Sequence, residues 1–490
     1  MAQAQGTSIT SGYISDLARY FQTPGASVAI IEDGKIKLIQ GLGTKQVGND
    51  DPVDENTLFA IGSITKSFTA LSLAMLVSDG KLHWDDRVVD YLPYFELYNP
   101  YVTQNVTVRD LLTHRSGLKA VSGGTLWYHS DLNREQIIRR LKYLDPVSPF
   151  RSTAAYQNTL FLVAAEVLES ITGNSWERFV RERIFAPLDM QNTVILQSER
   201  KARSNIALPH IRNKEFNWVT IEQEKLDNIG PAGSIYATPG DMARYMLFYL
   251  NEGAANGEQL LKKEVFEELL TPQIHYATFP EPVHNQFTSY GLGLWVTPKD
   301  EHVVVNHSGG IDGMRANMIM ERKSKFGVIC MANTSERGLT YAVTHAMLGQ
   351  VLRDKDYADY VDQLKADFTG AENEFNKQLT ARNASRVANT SPSLESAAYA
   401  GTYTDKMYGD IFIGNNANGL SISFSHTPLF TGRLSHWHYD TFKINWSDPR
   451  VPDGYVTFSF NAQGEITGFS IDQPNLLDVD FNELHITRKE

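Results

Sequence analysis

Cysteine is almost missing from this chain: Cys330 is the single one in 490 residues. That excludes an intramolecular disulfide and any cysteine-rich zinc site. It lies in the apolar run Phe326-Gly327-Val328-Ile329-Cys330-Met331 with no flanking cation to lower its pKa, so a buried strand position is expected rather than a reactive thiol. Long hydrophobic runs are also lacking. Leu160 to Leu168 comes nearest to a membrane span, is interrupted by Glu166, and falls short of the roughly 20 residues a bilayer requires. There is no basic stripe. With 45 basic against 57 acidic residues the net charge is -12, and the acidic residues are scattered, which favours solubility and argues against a nucleic-acid partner. The start, Met1-Ala2-Gln3-Ala4-Gln5-Gly6, has neither a basic n-region nor an apolar h-region. Its Ala-x-Ala character reads as the scar of a removed signal peptide, so a periplasmic or secreted protein is expected, with a cytoplasmic one as the alternative.

The length calls for two or three domains. The first zone alternates strand-like and helix-like blocks. Ser27-Val28-Ala29-Ile30-Ile31 and Lys37-Leu38-Ile39-Gln40 flank Asp33-Gly34, a hairpin signal. Ser63 to Ser78 has apolar residues at helical spacing and stops at Gly80, and Thr159 to Thr172 is a second apolar helix ending at Gly173. Tyr290 to Val296, Val303 to Val305, Asn317 to Met320 and Gly327 to Met331 read as consecutive strands before a helix near Leu339 to Leu352. These blocks predict an α+β fold (an α/β sandwich) with an antiparallel sheet completed by both termini of the first domain, plus a helical lobe. A charged helical arm and a polar linker follow. The last zone, with short strands between Gly/Asn/Asp turns, predicts a small all-β barrel. The expected units are 9–355, 356–395 and 396–490.

Chemistry is most legible at Ser63. In Phe59-Ala60-Ile61-Gly62-Ser63-Ile64-Thr65-Lys66 a hydroxyl opens an apolar helix and an amine follows one turn later. Serine is a weak nucleophile until a base takes its proton, and a residue at i+3 is within reach. Four Ser-x-x-Lys matches occur: Ser63/Lys66, Ser78/Lys81, Ser116/Lys119 and Ser198/Lys201. Of these, Ser63 alone begins a buried-looking helix after a strand. The blander reading is an N-cap serine beside a surface lysine. Tyr156-Gln157-Asn158 offers a phenol for proton transfer and an amide for a substrate carbonyl, although Tyr249-Leu250-Asn251 shows how common that pattern is. His307-Ser308-Gly309-Gly310 follows a strand, and its glycines let a substrate backbone approach; a strand-end histidine before a turn is the alternative. His436-Trp437-His438 lacks a third ligand and is read as packing, so no metal and no cofactor are expected. The aromatic residues of the last zone are read as barrel core.

Ser-Lys, Tyr-Asn and His-Gly occur in that order, separated by 93 and 151 residues. On this order the chain resembles the serine β-lactamase-like, penicillin-recognising hydrolases of the class C, D-aminopeptidase and D,D-carboxypeptidase branch. Further likeness lies in Leu111-Leu112-Thr113-His114-Arg115-Ser116-Gly117-Leu118, Arg183 to Met190, Ala237 to Ala243 and Tyr290 to Trp295, and the last zone resembles a lipocalin-like appendage. The resemblance implies that Ser63 is acylated while Lys66 and Tyr156 share the base and acid roles. It further implies that Asn158 orients the substrate amide, and that the backbone N–H groups of Ser63 and Gly310 hold the oxyanion, with Gly309 beside the substrate. His307 would stand where lactamases place a lysine for the substrate carboxylate.

The chain departs from the family at that histidine, at the bulky Gln157, and at Arg151 to Ala155 in place of a Pro-Gly turn. A neutral imidazole binds carboxylate weakly, which argues against an efficient β-lactamase. The expected function is a metal-independent serine hydrolase acting on small amides or peptides containing D-amino acids, with acyl transfer to amines as a variant. A carboxylesterase is the alternative, a weak β-lactamase the third, and a catalytically silent sensor or assembly protein the reading from another class. The appended barrel is expected to cap the cleft or to build a homo-oligomer.

Overall fold

The computed structural model describes residues 11–276, 281–285, 287–474, 476 and 478–489. The suggested processing scar at Met1 to Gly6, and the outer ends of the first and last expected units, lie outside the described residues.

The first domain is built on an eight-stranded antiparallel sheet. Its strands are β1 (Gly25–Glu32), β2 (Lys35–Gly43), β3 (Ile274–His275), β4 (Ser289–Tyr290), β5 (Trp295–Lys299), β6 (His302–Ile311), β7 (Met314–Glu321) and β8 (Phe326–Ala332), in the order β2-β1-β8-β7-β6-β5-β4-β3. The β1–β2 hairpin turns at Asp33 and Gly34, which have φ of 50° and 70°, the left-handed pair that matches strand twist. β1 pairs with β8 from Ala26↔Ala332 to Ile31↔Gly327, so the two ends of the domain close the sheet together.

Every residue of β8 is buried because both faces are covered. Val328, Cys330 and Ala332 face a layer made by α1 (Ser11–Tyr20), α5 (Gly338–Leu352) and the first turns of α6 (Asp356–Ala384). Ile329 and Met331 face the helical lobe, where α2 (Thr65–Ser78), α3 (Thr159–Thr172) and α4 (Pro239–Leu250) pack. Cys330 is a buried strand residue whose thiol burial pushes its pKa up. α2 is buried on all sides from Thr65 to Leu76 and so has no polar face. Phe68 stacks on Tyr245 of α4 at 3.8 Å, and Tyr245 donates to Ser67 Oγ at 2.7 Å.

Two local expectations need correction. Tyr290 to Val296 is not one strand: β4 ends at Tyr290, β5 begins at Trp295, and Gly291 to Leu294 turn between them. The turn exists because Gly293, at φ +82°, lies against α2, where an added Cβ would meet the Lys66 carbonyl oxygen at 3.0 Å. The helix does not start at Ser63 either. Gly62–Ile64 form a 3₁₀ turn, and α2 begins at Thr65.

The last zone is a closed antiparallel barrel of eight strands in sequence order, from Gly401–Asp405 to Thr487–Arg488. Its inside is filled by rings, with Tyr399 4.8 Å from Phe458 and Tyr403 4.8 Å from Phe469, so these aromatics are core. His436 bonds the Tyr439 carbonyl, and His438 accepts from the Val387 N–H. Of the 29-residue α6, Tyr357, Tyr360, Val361 and Leu364 are buried, while Arg382 near its end reaches Asp472 of the barrel at 3.2 Å. The barrel also docks on the lobe. Tyr128 stacks on Phe430 at 5.8 Å, and the Asp131 N–H donates to the His426 carbonyl at 3.0 Å.

Phe430 is fully buried at this seam, whereas Phe412 on the barrel is 41 % exposed. Phe430→Ala is expected to destabilise by about 3 kcal/mol or more, and Phe412→Ala by under about 0.5 kcal/mol. Urea midpoints followed by intrinsic fluorescence check both.

Candidate active site

The turn carrying Ser63 lies against the far half of β6. β5 pairs with β6 from His302 to Asn306, and among the described residues no strand pairs with His307 to Ile311 on that side. The Gly62–Ile64 turn fills the gap at very short range. An added Cβ on Gly62 would meet Gly310 N at 2.5 Å, and one on Gly309 would meet the Ile61 carbonyl oxygen at 1.8 Å and Ser63 N at 3.1 Å. Glycine is required at both places, and the backbone amides of Ser63 and Gly310 come from these adjoining segments.

Lys66 points back along the helix to Ser63, with Nζ 3.0 Å from Ser63 Oγ and 3.1 Å from the Ala232 carbonyl oxygen. The lysine is fully buried. Loss of hydration brings its pKa down from 10.5 to about 7, against an opposing pull from Asp478. Its Nζ lies 4.8 Å from the centre of the Tyr156 ring. The Tyr156 hydroxyl is buried and faces Ser63; burial raises its pKa well above 10 against the opposing pull of Ser63. Near pH 7 the serine is therefore flanked by an amine that is neutral in about half of the molecules and by a neutral phenol, one able to accept a proton and the other to donate one.

His307 is buried, and its Nδ1 lies 2.6 Å from the Ser308 carbonyl oxygen, which fixes the proton on Nδ1. Nε2 then accepts from the Tyr290 hydroxyl at 3.0 Å. Burial and the neighbouring Lys66 lower the imidazole pKa to about 3, so His307 is neutral. His114 accepts from the Gln157 N–H at 3.0 Å, and its ring packs 4.4 Å from Tyr156 and 4.3 Å from Tyr290. It too is held neutral by burial. His114 and Tyr290 lie in stretches that carry the family likeness, but sequence reasoning gave neither a role.

Asn158 precedes α3 yet does not cap it. Its Nδ2 donates to Asp478 Oδ2 at 2.8 Å, across 320 residues of chain. Asp478 comes from the barrel and adopts φ 61°, a left-handed conformation that aspartate tolerates. The residue is partly exposed, but its carboxylate is desolvated, which raises its pKa against the opposing pull of Lys66, Asn158 and Arg315. Neighbouring barrel residues hold it in place. Lys119 pairs with Asp480, and Glu483 accepts from the Gly123 N–H at 2.8 Å and from Thr125 Oγ1 at 2.8 Å. Gly124 leaves the room required, since a Cβ there would meet the Asp478 carbonyl oxygen at 1.7 Å. Arg315 of β7 donates to the Ser335 carbonyl at 2.8 Å, and its guanidinium lies where a Gly310 Cβ would stand. No motif marked Asp478 or Arg315. The structure thus brings Ser63, Lys66, Tyr156, Asn158, His307, Gly309 and Gly310 together and adds these two charges.

One cluster among the described residues has metal-ligand spacing: His129, Glu224 and Asp312, with donor atoms within 4.8 Å of one another. Arg450, doubly bonded to Asp448, lies 3.3 Å from His129 Nε2, and Arg200 also faces Glu224, so guanidinium groups supply positive charge there. No helix among the described residues is long and apolar enough to cross a membrane.

Residues 14–349 match the family model described as Beta-lactamase, and residues 385–488 match one described as Domain of unknown function (DUF3471). The chain is similar to a protein named Unguisins hydrolase ungD from Aspergillus violaceofuscus, 26% identical over 428 residues that span 81% of this chain and 74% of the other. Among solved structures it is similar to the octameric penicillin-binding protein homologue from Pyrococcus abyssi, with TM-score 0.61, 21% identity and coverage of 97% and 98% of the two chains. It is also similar to a D-stereospecific amidohydrolase from Streptomyces sp., with TM-score 0.52, 22% identity and coverage of 65% and 95%.

A fluorophosphonate reports the nucleophilicity of Ser63 without needing a substrate. The labelling rate is expected to rise with pH through about 7, the value of Lys66, without a second limb from His307, whose pKa is about 3. Mass spectrometry of the labelled protein over pH 5 to 9 measures it.

Proposed function

The chain belongs to the beta-lactamase family and is a serine hydrolase, and from that premise we propose that it cleaves small amides or peptides containing D-amino acids through an acyl-enzyme at Ser63. The observation that carries the proposal is a serine hydroxyl 3.0 Å from an amine whose pKa burial has lowered to about 7. Ser63 Oγ attacks the substrate carbonyl while its proton passes to Lys66 Nζ. The N–H groups of Ser63 and Gly310 receive the developing oxyanion, and Tyr156 protonates the departing amine. Lys66 passes the serine proton on to Tyr156, which restores both groups; water then adds to the acyl carbonyl and one of its protons returns through Lys66 to Ser63 Oγ as the ester bond breaks, or an amine takes the place of water and completes acyl transfer.

Asn158 and the Gly309 backbone align the substrate amide. His307, neutral and bonded to Tyr290, shapes the pocket without offering the cation that a β-lactam carboxylate requires. The carboxylate of Asp478 suits a substrate with a free amino group, so the favoured class is a D-amino-acid amide or a peptide with such an amino end. The names of the Aspergillus hydrolase and the Streptomyces amidohydrolase support amide cleavage, and the latter also supports D-stereospecificity. The barrel's sequential up-and-down strand order supports a lipocalin-like module. The octameric Pyrococcus homologue supports self-association, with exposed Phe375 and Leu379 on α6 as contact residues. Export to the periplasm or the medium fits a chain whose single thiol is buried.

Matched D- and L-amino-acid amides and a simple aryl ester, assayed with wild type and Ser63→Ala, test the reading. Amide turnover is expected to favour D by at least about tenfold and to fall by about 10⁴-fold or more in the variant. Ester turnover alone, lost in the variant, moves the function to the esterase. Activity that survives the substitution removes Ser63 from its role.

A further inference from the structure

The barrel places a negative charge beside the machinery of the first domain. Asp478 reaches the pocket through Asn158, with 2.8 Å between Nδ2 and Oδ2, and acts electrostatically on Lys66. The two charges want opposite things. A carboxylate holds the proton on a neighbouring amine, whereas a base for Ser63 must be free of it. Other groups around Asp478 do not remove the conflict. Arg315 of β7 and Asp312 of the β6–β7 turn have opposite signs, Tyr156 is a neutral phenol, and Asn158 is uncharged. On the Lys66 side, His114 and His307 are neutral. Asp478 is therefore the group whose neutralisation changes the protonation of Lys66.

We propose that Asp478 makes activation of Ser63 depend on the charge of the substrate: an ammonium group bound to this carboxylate cancels its hold on Lys66, which gives up its proton to water and becomes the base. This rests on the reading that the pocket takes substrates with a free amino group. A neutral substrate leaves the Asp478–Lys66 attraction intact and meets an enzyme in which less of the lysine is free base. The barrel then contributes to rate as well as to binding. The device needs the carboxylate to stay in place, and the seam supplies that through Glu483 on Gly123 and Thr125, the Lys119–Asp480 pair, and the absence of a side chain at Gly124.

The test uses the full chain with D-alanyl p-nitroanilide and its N-acetyl derivative between pH 5 and 8, where the free amine of the first, with a pKa near ~8, is largely protonated on the acid limb. Fluorophosphonate labelling gives a substrate-free reading of the same limb. Asp478→Asn keeps the side-chain shape and removes the charge. It is expected to move the acid limb of labelling, and of kcat/KM for the N-acetyl substrate, down by about 0.5 to 1 pH unit. In the wild type, the kcat limb for the ammonium substrate is expected to lie below the labelling limb of the free enzyme by a similar amount. Asp472→Asn removes another barrel carboxylate, one paired with Arg382, while leaving the pocket charge and its anchors, and keeps the limb at its wild-type position.

A limb that stays put in Asp478→Asn while preference for the ammonium substrate collapses overturns the coupling and leaves the free-amino reading standing. A limb that moves while wild type and variant share one preference between the two substrates overturns the reading instead. An equal shift in Asp472→Asn assigns the effect to the overall charge of the barrel and overturns the coupling.

Discussion

Burying the amine of Lys66 is the constraint that the rest of this structure answers to. Lowering its pKa from 10.5 to about 7 costs the fold about 5 kcal/mol at pH values below 7. That cost shrinks as pH rises from 7 to 10.5, because the unfolded chain then holds a proton that the native one does not. The surroundings are arranged to impose it. α2 is buried on every side through its first three turns, Gly293 brings the β4–β5 turn against the Lys66 backbone, and Tyr156 and Phe161 cover the amine with their rings. Among the described residues, Ser63 Oγ and the Ala232 carbonyl are what offer it hydrogen bonds. A lysine so placed is a poor cation and a usable base.

The same desolvation sorts the neighbouring groups. His114 and His307 are kept neutral and act as fixed dipoles, one accepting from the Gln157 N–H and the other from Tyr290. Tyr156 remains a phenol. Fixed charges are added from outside the Ser-Lys-Tyr set, by Arg315 beside Gly310 and by Asp478 of the barrel. The two domains are joined by a seam in which stacked rings, backbone hydrogen bonds and a glycine pair at Gly123 and Gly124 leave little freedom to shift.

How much of this was legible depended on how local the cause was. Ser63 and Lys66 share one helical turn, and the Asp33-Gly34 hairpin is a matter of two residues, so sequence spacing suffices. The sheet completed by both ends of the domain and the closed barrel follow from short apolar stretches between turn residues, and β8, buried on both faces, reads as a continuous apolar run. The stretch from Tyr290 to Val296 was misread because its apolar character survives in the turn, and the reason for bending is a contact with Lys66, over two hundred positions away. The family likeness marked the position of His307, but its neutrality comes from burial and the nearby Lys66, and no spacing rule connects it to its partner Tyr290. Asp478 was silent for the same reason: one aspartate in a turn-rich zone, made important by Asn158 in another domain.

The most direct measurement is the titration of Lys66 itself, by carbon NMR of protein labelled at the lysine ε-carbon, with Lys66→Arg used to assign the resonance. The account predicts a midpoint near 7 for that amine while exposed lysines titrate near 10.4. A Lys66 midpoint at the exposed value would mean that the amine stays protonated beside Ser63, contradicting its role as the base.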